Sequence, residues 1–487
     1  MKFLGLRLDE HDSNITFTDG DKVRYFKSER FNQIKHHGYN NLYSWQECLD
    51  LWDVKLEDID AIAIVIDPEW HVNESFTTHP NILYERIKLK STPFDNVKCP
   101  IFRIDHHYAH ALSLWPVNNS INTYIIMDGY GDHEKSFSLI ENDSLIHYET
   151  VRNLESIGRV LAEVGFRFGM TGHPQDFAGK LMGLQSYGKL DFELLQELEK
   201  YNSLYDTAKI YSTFNESEDW LRTVHSKFEN LFVKFFDDNL NREETIGYSG
   251  GIAQNIVINS KLKEKFQNIH IPPHCPDEGL SLGCVEFLRK YYNQDKFDNS
   301  GFPFWQSDES PDTKPSNSTL EKVSEYLAEG KIIAWYQGNG EVGPRALGNR
   351  SILMNPAVKD GKNILNSRVK KREYYRPFGA SILENHATKY FNCSTSSPYM
   401  LYSMEVLTND FPSITHVDNT CRVQTVSDGS FAELLEVFNK KTGIPVLLNT
   451  SLNIAGKPIA GKIEDAVNLF RNNDIDILVI GDEVVTK

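Results

Sequence analysis

A polar segment from Asn293 to Ser318 divides this chain of 487 residues into two unequal parts. The segment repeats Pro, Ser and Asp, a composition typical of a linker between domains. A chain of this length can form two or three domains, each with its own buried core. We therefore predict an N-terminal domain at 1–292, a linker at 293–318 and a C-terminal domain at 319–487.

Both parts alternate short apolar runs with helical periodicity, which predicts an α/β fold. In the first part, strands are expected at 2–8, 14–18, 22–27, 61–66 and 124–127, and helices at 155–168, 192–201, 218–236 and 254–266. In the second part, strands are expected at 332–336, 446–448 and 477–480, with a helix at 431–439. The continuous apolar runs indicate strands that are buried on both faces of a mixed or parallel sheet.

Charge and cysteine usage restrict the class of protein. The formal net charge of −17 argues against binding nucleic acid by overall attraction. No apolar run approaches the roughly 20 residues of a membrane-spanning helix, and the N-terminus lacks the pattern of a signal peptide. The six cysteines are scattered, which suits a reducing compartment. We expect a cytoplasmic protein with no membrane partner.

Two histidines at helical spacing and two aspartates predict a metal site in the first part. His106 and His110 lie four residues apart in a helical pattern, so they share one face, whereas His107 points elsewhere. Asp128 ends an apolar strand, and Asp277 precedes another helix. Two imidazoles and two carboxylates suit a divalent transition metal. The alternatives are an ordinary surface helix for the histidines and an N-cap role for Asp277.

A glycine turn at Gly250 and Gly251 follows a predicted strand and leads into a helix near Asn255. Free backbone N–H groups and the helix dipole favour an anion at such a turn, so we predict a contact with a nucleotide. The alternative is a tight connection that binds nothing.

Several long motifs occur along the whole chain. The N-terminal motifs are His11–Ser13, Glu29–His36, Asp105–Ala111, Gly179–Gly188 and Gly250–Asn255. The C-terminal motifs are Gly343–Leu353, Asn366–Phe378, His416–Thr425 and Leu448–Asn453. In this order they resemble the O-carbamoyltransferase family of nodulation-factor and antibiotic biosynthesis, which includes virus-encoded carbamoyltransferases acting on 5-hydroxymethylcytosine in DNA.

The resemblance implies an ASKHA-type N-terminal domain followed by a YrdC-like α/β C-terminal domain. The C-terminal domain would make carbamoyl-adenylate from carbamoyl phosphate and ATP, with Mg²⁺ accompanying ATP. The N-terminal domain would bind the adenylate and a metal, Fe²⁺ or another divalent transition metal. By position, the metal ligands would be His106, His110, Asp128 and Asp277.

Polar motifs in the second part supply the cations that two anionic substrates require. Arginine binds phosphate through two parallel hydrogen bonds, so clustered arginines suit this task. The alternative is a set of surface salt bridges. The residues expected to bind carbamoyl phosphate and ATP are Arg345, Arg350, Lys370, Arg372, Arg376, Arg422, Asn449 and Ser451.

Three residues of the first part are candidates for the transfer step. His11 is the expected base for the acceptor hydroxyl, because histidine titrates near neutrality. Asp12 would orient that imidazole, and Lys35 would stabilise the developing oxyanion or the AMP phosphate. The residues from Arg7 to Glu10 depart from the usual family pattern, which leaves the acceptor in doubt and not the donor chemistry.

The acceptor stays open between a small-molecule alcohol and 5-hydroxymethylcytosine in DNA. The residue usage suggests an AT-rich genome and the chain is compact, so a virus-encoded enzyme in the host cytoplasm is one interpretation. A DNA acceptor would need a flipped base or a single strand that follows basic residues. The first residues to consider are Arg86, Lys88, Lys90 and Lys98, for which a solvated face is the alternative.

The motifs also bear on two other functions and on assembly. Synthesis of threonylcarbamoyl-adenosine in tRNA uses related domains, but the domain order and the Gly343–Leu353 motif favour the alcohol-directed family. An ATP-binding sensor without catalysis would require the metal set or the arginine set to be broken, and both are intact. A homodimer is a further expectation.

Overall fold

The computed structural model describes residues 1–8, 11–38, 45–66, 79–89, 94–150 and 156–487. Its mixed sheets, covered by helices, confirm the predicted α/β fold. None of the helices in these ranges combines the length and the apolar character needed to cross a membrane.

The first part of the chain contains two sheets. The strands of the first are β1 (Phe3–Arg7), β2 (Asn14–Thr18), β3 (Val23–Lys27), β4 (Ala61–Val65), β5 (Tyr84–Ile87) and β6 (Ile101–Ile104), in the order β3-β2-β1-β4-β6-β5. The strands of the second are β7 (Thr123–Met127), β8 (Lys135–Glu141), β9 (Ser144–Thr150), β10 (Ile246–Ser249) and β11 (Ile269–His270), in the order β11-β10-β7-β8-β9. In each sheet a parallel centre continues into an antiparallel hairpin.

Helices cover both sheets. Those of the first part are α1 (Ser28–Asn32), α2 (Glu47–Leu51), α3 (His106–Leu112), α4 (Ile157–Arg167), α5 (Phe177–Leu184), α6 (Phe192–Leu198), α7 (Thr207–Tyr211), α8 (Glu218–Asn239), α9 (Ile256–Lys265) and α10 (Leu280–Tyr291). Helices α3 and α10 share one apolar core with strands of both sheets. The start of α3 and the loop before α10 therefore lie close together, which positions the candidate metal residues.

The second part forms one sheet of eight strands. These are β12 (Ile333–Tyr336), β13 (Arg350–Met354), β14 (Gly379–Leu383), β15 (Ser403–Glu405), β16 (Thr420–Val426), β17 (Val446–Ser451), β18 (Ile477–Ile480) and β19 (Glu483–Thr486), in the order β15-β16-β14-β17-β13-β12-β18-β19. The helices are α11 (Asn317–Ala328), α12 (Gly361–Ile364), α13 (Ala387–Tyr390), α14 (Gly429–Thr442) and α15 (Ile463–Asn472), and Leu365–Lys370 forms a π-helix after α12. Helices α11 and α14 pack on one face of the sheet.

The segment 293–318 is packed against the first part of the chain. The ring of Trp305 stacks on that of Trp115 with 5.5 Å between centroids. The carbonyl of Trp305 accepts a hydrogen bond from the backbone N–H of Tyr25 at 3.2 Å, and the side chain of Asp308 is buried. The domain limits at 292 and 319 stay a prediction.

Candidate active site

Helix α3 presents His106 and His110 on one face, and its start is fixed by a cap. The Asp105 side chain accepts a hydrogen bond from the backbone N–H of Tyr108 at 3.1 Å, which satisfies a donor that the helix leaves unpaired. The Lys135 ammonium donates to the other oxygen of Asp105 at 2.7 Å. His106 and His110 face the same side, one turn apart.

The four predicted metal residues converge in the structure. The Nε2 atoms of His106 and His110 lie 3.1 Å and 3.2 Å from Oδ2 of Asp128. The same two atoms lie 3.3 Å and 3.4 Å from Oδ1 of Asp277. All four side chains are buried, and their ligand atoms lie within 4.8 Å of one another. Two imidazole nitrogens and two carboxylate oxygens at this spacing fit a divalent transition metal.

The electrostatics of this group favour a bound cation. Burial opposes protonation of His106, but the carboxylates of Asp277 and Asp128 outweigh it and raise the pKa of His106 to about 10. Burial likewise opposes ionisation of Asp277 and Asp128, but the neighbouring imidazoles hold the pKa values of both carboxyl groups below their usual range. The carboxylates are therefore ionised and ready to face positive charge.

In each aspartate one carboxylate oxygen is bound by other groups of the protein, and the second oxygen faces the histidines. The Arg7 guanidinium donates to Oδ2 of Asp277 at 3.0 Å. The backbone N–H groups of Gly129 and Gly251 donate to Oδ1 of Asp128 at 2.7 Å and 3.1 Å. Arg7 thus orients a candidate metal ligand.

His107 does not join this group, as the helical spacing predicts. Its Nδ1 lies 2.7 Å from Oγ of Ser138, on another side of α3. Burial lowers the pKa of His107 to about 3, so this imidazole is neutral.

The amides of the turn at Gly250 and Gly251 are bonded within the protein, which differs from the prediction. The N–H of Gly250 donates to the carbonyl of Cys275 at 2.9 Å, and the N–H of Gly251 donates to Asp128. The expectation of free amides at these two positions is therefore wrong, because the folded chain brings an acceptor to each. Asn255 caps α9, and its Nδ2 lies 3.1 Å from Nε2 of His225. Nucleotide binding at this turn stays a prediction.

His11 and Asp12 lie at the edge of the four-residue group. Nδ1 of His11 is 3.2 Å from Oδ2 of Asp12 and 3.9 Å from Oδ2 of Asp277. Burial opposes protonation of His11, but Asp12 and Asp277 outweigh it and raise its pKa. The geometry agrees with Asp12 as the group that orients His11. About a third of the His11 side chain is exposed.

Lys35 lies beside residues that the sequence analysis did not assign. It forms an ion pair with Asp176, which also lies 3.5 Å from Nε2 of His36. Burial opposes protonation of His36, but Asp12 and Asp176 outweigh it and raise the pKa of His36 to about 9. Burial also opposes ionisation of Asp176, but His36 and Lys35 outweigh it and lower the pKa of Asp176. Asp176 precedes α5 and is 141 positions from Lys35, so only the fold brings them together.

A second group, Asp12, Glu29 and His36, also has metal-ligating side chains close together. The ammonium of Lys27 already lies within it, 3.1 Å from Asp12 and 2.9 Å from Glu29, and it also contacts Glu278. Since this ammonium stands where an ion would bind, the group is an ion-pair network of the protein itself.

The second part of the chain brings several cations, of which Lys370 is buried, together with few counterions. Lys370 Nζ donates to the backbone oxygens of Ser451 and Asn453 at 2.7 Å and 2.8 Å, and to Oδ1 of Asn453 at 2.6 Å. Burial and the neighbouring Arg372 and Arg376 lower the pKa of Lys370 well below its usual range. Within the described ranges, Lys370 and Arg372 form no ion pair.

Two arginines complete this group. Burial and the nearby Arg345 lower the pKa of Arg422 to about 9. Burial lowers that of Arg345 too, and Nη2 of Arg345 lies 3.5 Å from Oε1 of Gln254 in the first part of the chain. Neither forms an ion pair with a described residue. We call Arg345, Lys370, Arg372, Arg376 and Arg422 the cation group.

Three predicted binding residues have other contacts. Arg350 is fully buried, donates to the carbonyl groups of Gln337 and Glu309, and lies 3.6 Å from the centroid of the Tyr336 ring. Asn449 donates to the carbonyl of Ala346 at 3.2 Å. Arg350 and Asn449 therefore support neighbouring segments, whereas Ser451 contacts Lys370 directly. A part in substrate binding stays a prediction for all three.

Comparison with known proteins shows the family of the chain. The chain matches the carbamoyltransferase N-terminus over residues 69–216 and 199–285, and the carbamoyltransferase C-terminus over residues 324–487. It belongs to the carbamoyltransferase family. The protein is therefore a transferase of the carbamoyltransferase class.

Relatives cover most of the chain. A protein of Methanocaldococcus jannaschii is 30% identical over 83% of this chain and 86% of its own length. Nodulation protein NolNO of Sinorhizobium fredii is 28% identical over 98% of this chain and 79% of its own length. The 3'-hydroxymethylcephem-O-carbamoyltransferase of Amycolatopsis lactamdurans is 28% identical over 82% of this chain and 83% of its own length.

Proposed function

We propose that this carbamoyltransferase is ATP-dependent and transfers the carbamoyl group to an alcohol in two steps. The first would take place in a YrdC-like C-terminal domain at 319–487 and the second in an ASKHA-type N-terminal domain at 1–292. The observation that carries the proposal is the cation group, of which only Arg376 forms an ion pair with a described residue, Glu373. Uncompensated buried charge is costly, so such a site is built to receive an anionic ligand.

The donor step would form carbamoyl-adenylate at the cation group. Atom balance requires carbamoyl phosphate to lose its phosphate to water, after which the carbamate oxygen bonds to the α-phosphorus of ATP and pyrophosphate leaves. The arginines of the group would bind phosphate oxygens in pairs, and Lys370 would supply a point charge. Burial strengthens these interactions because water does not screen them.

The transfer step would take place at the candidate metal residues. His106, His110, Asp128 and Asp277 would hold a divalent transition metal, with Fe²⁺ as our assignment. When bound, this ion supplies Lewis acidity for the carbamoyl carbonyl. The protein's own residues orient the ligands, because Arg7 holds Asp277 and the amide of Gly251 holds Asp128.

His11 would take the proton of the acceptor hydroxyl. Its imidazole is partly exposed, lies beside Asp277 and is oriented by Asp12. Lys35 would stabilise negative charge on the departing AMP. Asp176, which pairs with Lys35 and contacts His36, would hold that ammonium in place.

The acceptor we propose is the hydroxyl group of a small molecule. The relative from Amycolatopsis lactamdurans is named for a hydroxymethyl cephem, which is such an alcohol. DNA carrying 5-hydroxymethylcytosine is the alternative outcome. Of the basic residues considered for it, Arg86, Lys88 and Lys98 are exposed, and Lys90 lies outside the described residues.

Mass spectrometry of the products tests the proposal. The protein is incubated with carbamoyl phosphate, Mg-ATP and a panel of amino sugars, hydroxymethyl cephems, 5-hydroxymethylcytosine nucleotide and DNA containing that base. Carbamoyl-adenylate together with one carbamoyl added to a small alcohol is the expected result. Transfer to DNA would replace the acceptor class, and adenylate formation that depends on threonine would favour tRNA modification. Absence of pyrophosphate release with carbamoyl phosphate and ATP would refute the donor step.

A further inference from the structure

The loop that carries Arg345 is folded around a single buried carboxylate. We call residues 343–350 the arginine loop. Oε1 of Glu341 accepts hydrogen bonds from the backbone N–H groups of Leu347, Asn349 and Arg350, at 2.8 Å, 2.9 Å and 3.1 Å. Glu341 is 1% exposed and has no assigned role. Three amides that bind one oxygen fix the backbone of the second half of the loop.

The rest of the loop is held through its carbonyl groups. The carbonyls of Gly343, Ala346, Leu347 and Gly348 accept hydrogen bonds from the side chains of Arg30, Asn449, Gln424 and Trp335, respectively. Arg30 belongs to α1, so the first part of the chain also contacts the loop. Glu341 is the residue that binds the amide side of the loop.

The guanidinium of Arg345 has few contacts of its own. Its Nε has no hydrogen-bond partner among the described residues, and the Nη2 contact with Gln254 is long, at 3.5 Å. The direction of this guanidinium is therefore determined by the backbone of the arginine loop.

We propose that Glu341 is a positioning residue that aims Arg345 at an anionic substrate of the donor step. This inference rests on the proposed function, in which Arg345 binds carbamoyl phosphate or ATP. Without the carboxylate, three N–H groups, two of them buried, lose their acceptor and the loop rearranges. A shift of about 1 Å at a binding group costs on the order of 100-fold in rate.

A double-mutant cycle tests whether Glu341 acts through Arg345. Carbamoyl phosphate-dependent pyrophosphate release is measured for the wild type, Glu341→Ala, Arg345→Ala and the double variant, with KM for both substrates and kcat. We expect each single variant to raise one KM by roughly 10- to 100-fold, and the double variant to match Arg345→Ala. Additive effects would overturn the proposal, because residues that act as one unit are not additive.

Conservative variants separate positioning from a structural role. Glu341→Gln keeps the acceptor oxygen. Its KM is therefore expected to lie much closer to the wild-type value than that of Glu341→Ala. If Glu341→Ala does not fold, Glu341→Asp takes its place in the cycle, because it keeps the charge but withdraws the oxygen by one methylene. A Glu341→Gln protein as impaired as Glu341→Ala would contradict the positioning role.

Asp465 provides a matched control. One of its oxygens accepts hydrogen bonds from the backbone N–H groups of Gly461 and Lys462 at 3.2 Å and 2.9 Å, in a loop that carries no member of the cation group. Asp465→Ala is expected to lower stability and leave both KM values unchanged. A wild type that releases no pyrophosphate would sink the proposed function, whereas an active wild type with an additive cycle would sink only the role of Glu341.

Discussion

Lys27 and Lys370 are both buried lysines with 2% exposure, but their surroundings are opposite. Lys27, in the first part of the chain, contacts the carboxylates of Asp12, Glu29 and Glu278, which raise its pKa against the effect of burial. Lys370, in the second part, contacts neutral oxygens only, and burial together with nearby arginines lowers its pKa. The protein neutralises the first charge itself, and the second is left for an anionic ligand.

The comparison predicts the largest loss of stability at Lys27. Lys27→Met leaves three buried carboxylates without their cation, so we expect the free energy of unfolding to fall by about 3–5 kcal/mol. Urea denaturation measures this change. Lys22→Met, at an exposed position before the same strand, should change stability by less than about 0.5 kcal/mol. A Lys27→Met protein as stable as Lys22→Met would break the comparison.

Lys370→Met should have the converse effect. It removes a cation that no described carboxylate neutralises, so only hydrogen bonds to neutral oxygens are lost and stability should fall less than in Lys27→Met. The kcat/KM of pyrophosphate release should fall by about 100- to 1000-fold, as for other groups that stabilise developing charge. Lys389→Met, at an exposed site on α13 in the same part of the chain, should leave the rate unchanged. Normal activity in Lys370→Met would show that the cation group does not bind the donor.

Metal binding should depend on His106 and not on its neighbour. His106→Ala removes a metal ligand. Loss of a residue that only hydrogen-bonds to a ligand lowers metal affinity by roughly 10- to 100-fold, so His106→Ala should lower it by at least that much. Equilibrium dialysis followed by elemental analysis measures this. His107→Asn, altered at a buried histidine outside the four-residue group, is the control and should retain metal. Equal losses in both variants would assign the effect to a disturbed helix.

The smallest expected effect is stabilisation by an anion. At about ten times its dissociation constant, inorganic pyrophosphate should raise the free energy of unfolding by about 1.4 kcal/mol. The increase should be absent in Lys370→Met, because that variant lacks a cation of the binding site. Thermal unfolding with and without pyrophosphate measures both. An equal increase in the two proteins would place the anion elsewhere.

Local pattern indicates three of the four candidate metal residues, whereas Asp277 joins them by the family resemblance and the fold. His106 and His110 are one helical turn apart, and Asp128 ends a buried strand, so short-range periodicity brings their side chains to the expected face. The strand positions at 61–66 and 124–127 were predictable for the same reason, because buried strands are continuous apolar runs.

Long-range packing accounts for what the sequence did not predict. Asp176 and Glu278 acquire their contacts through the fold, and no local spacing links Lys35 to Asp176 or Lys27 to Glu278. The same cause explains the error at Gly250 and Gly251. Their amides looked free because their acceptors, Cys275 and Asp128, lie far away in the chain.

The central claim is that the donor step takes place in the second part of the chain and the transfer step in the first. Product analysis of one variant tests this claim most directly. His106→Ala is incubated with carbamoyl phosphate, Mg-ATP and the acceptor identified for the wild type, and the quenched mixture is analysed by mass spectrometry. The account predicts that pyrophosphate is still released and carbamoyl-adenylate accumulates while no carbamoylated acceptor forms. Loss of pyrophosphate release to the extent expected of Lys370→Met would contradict it.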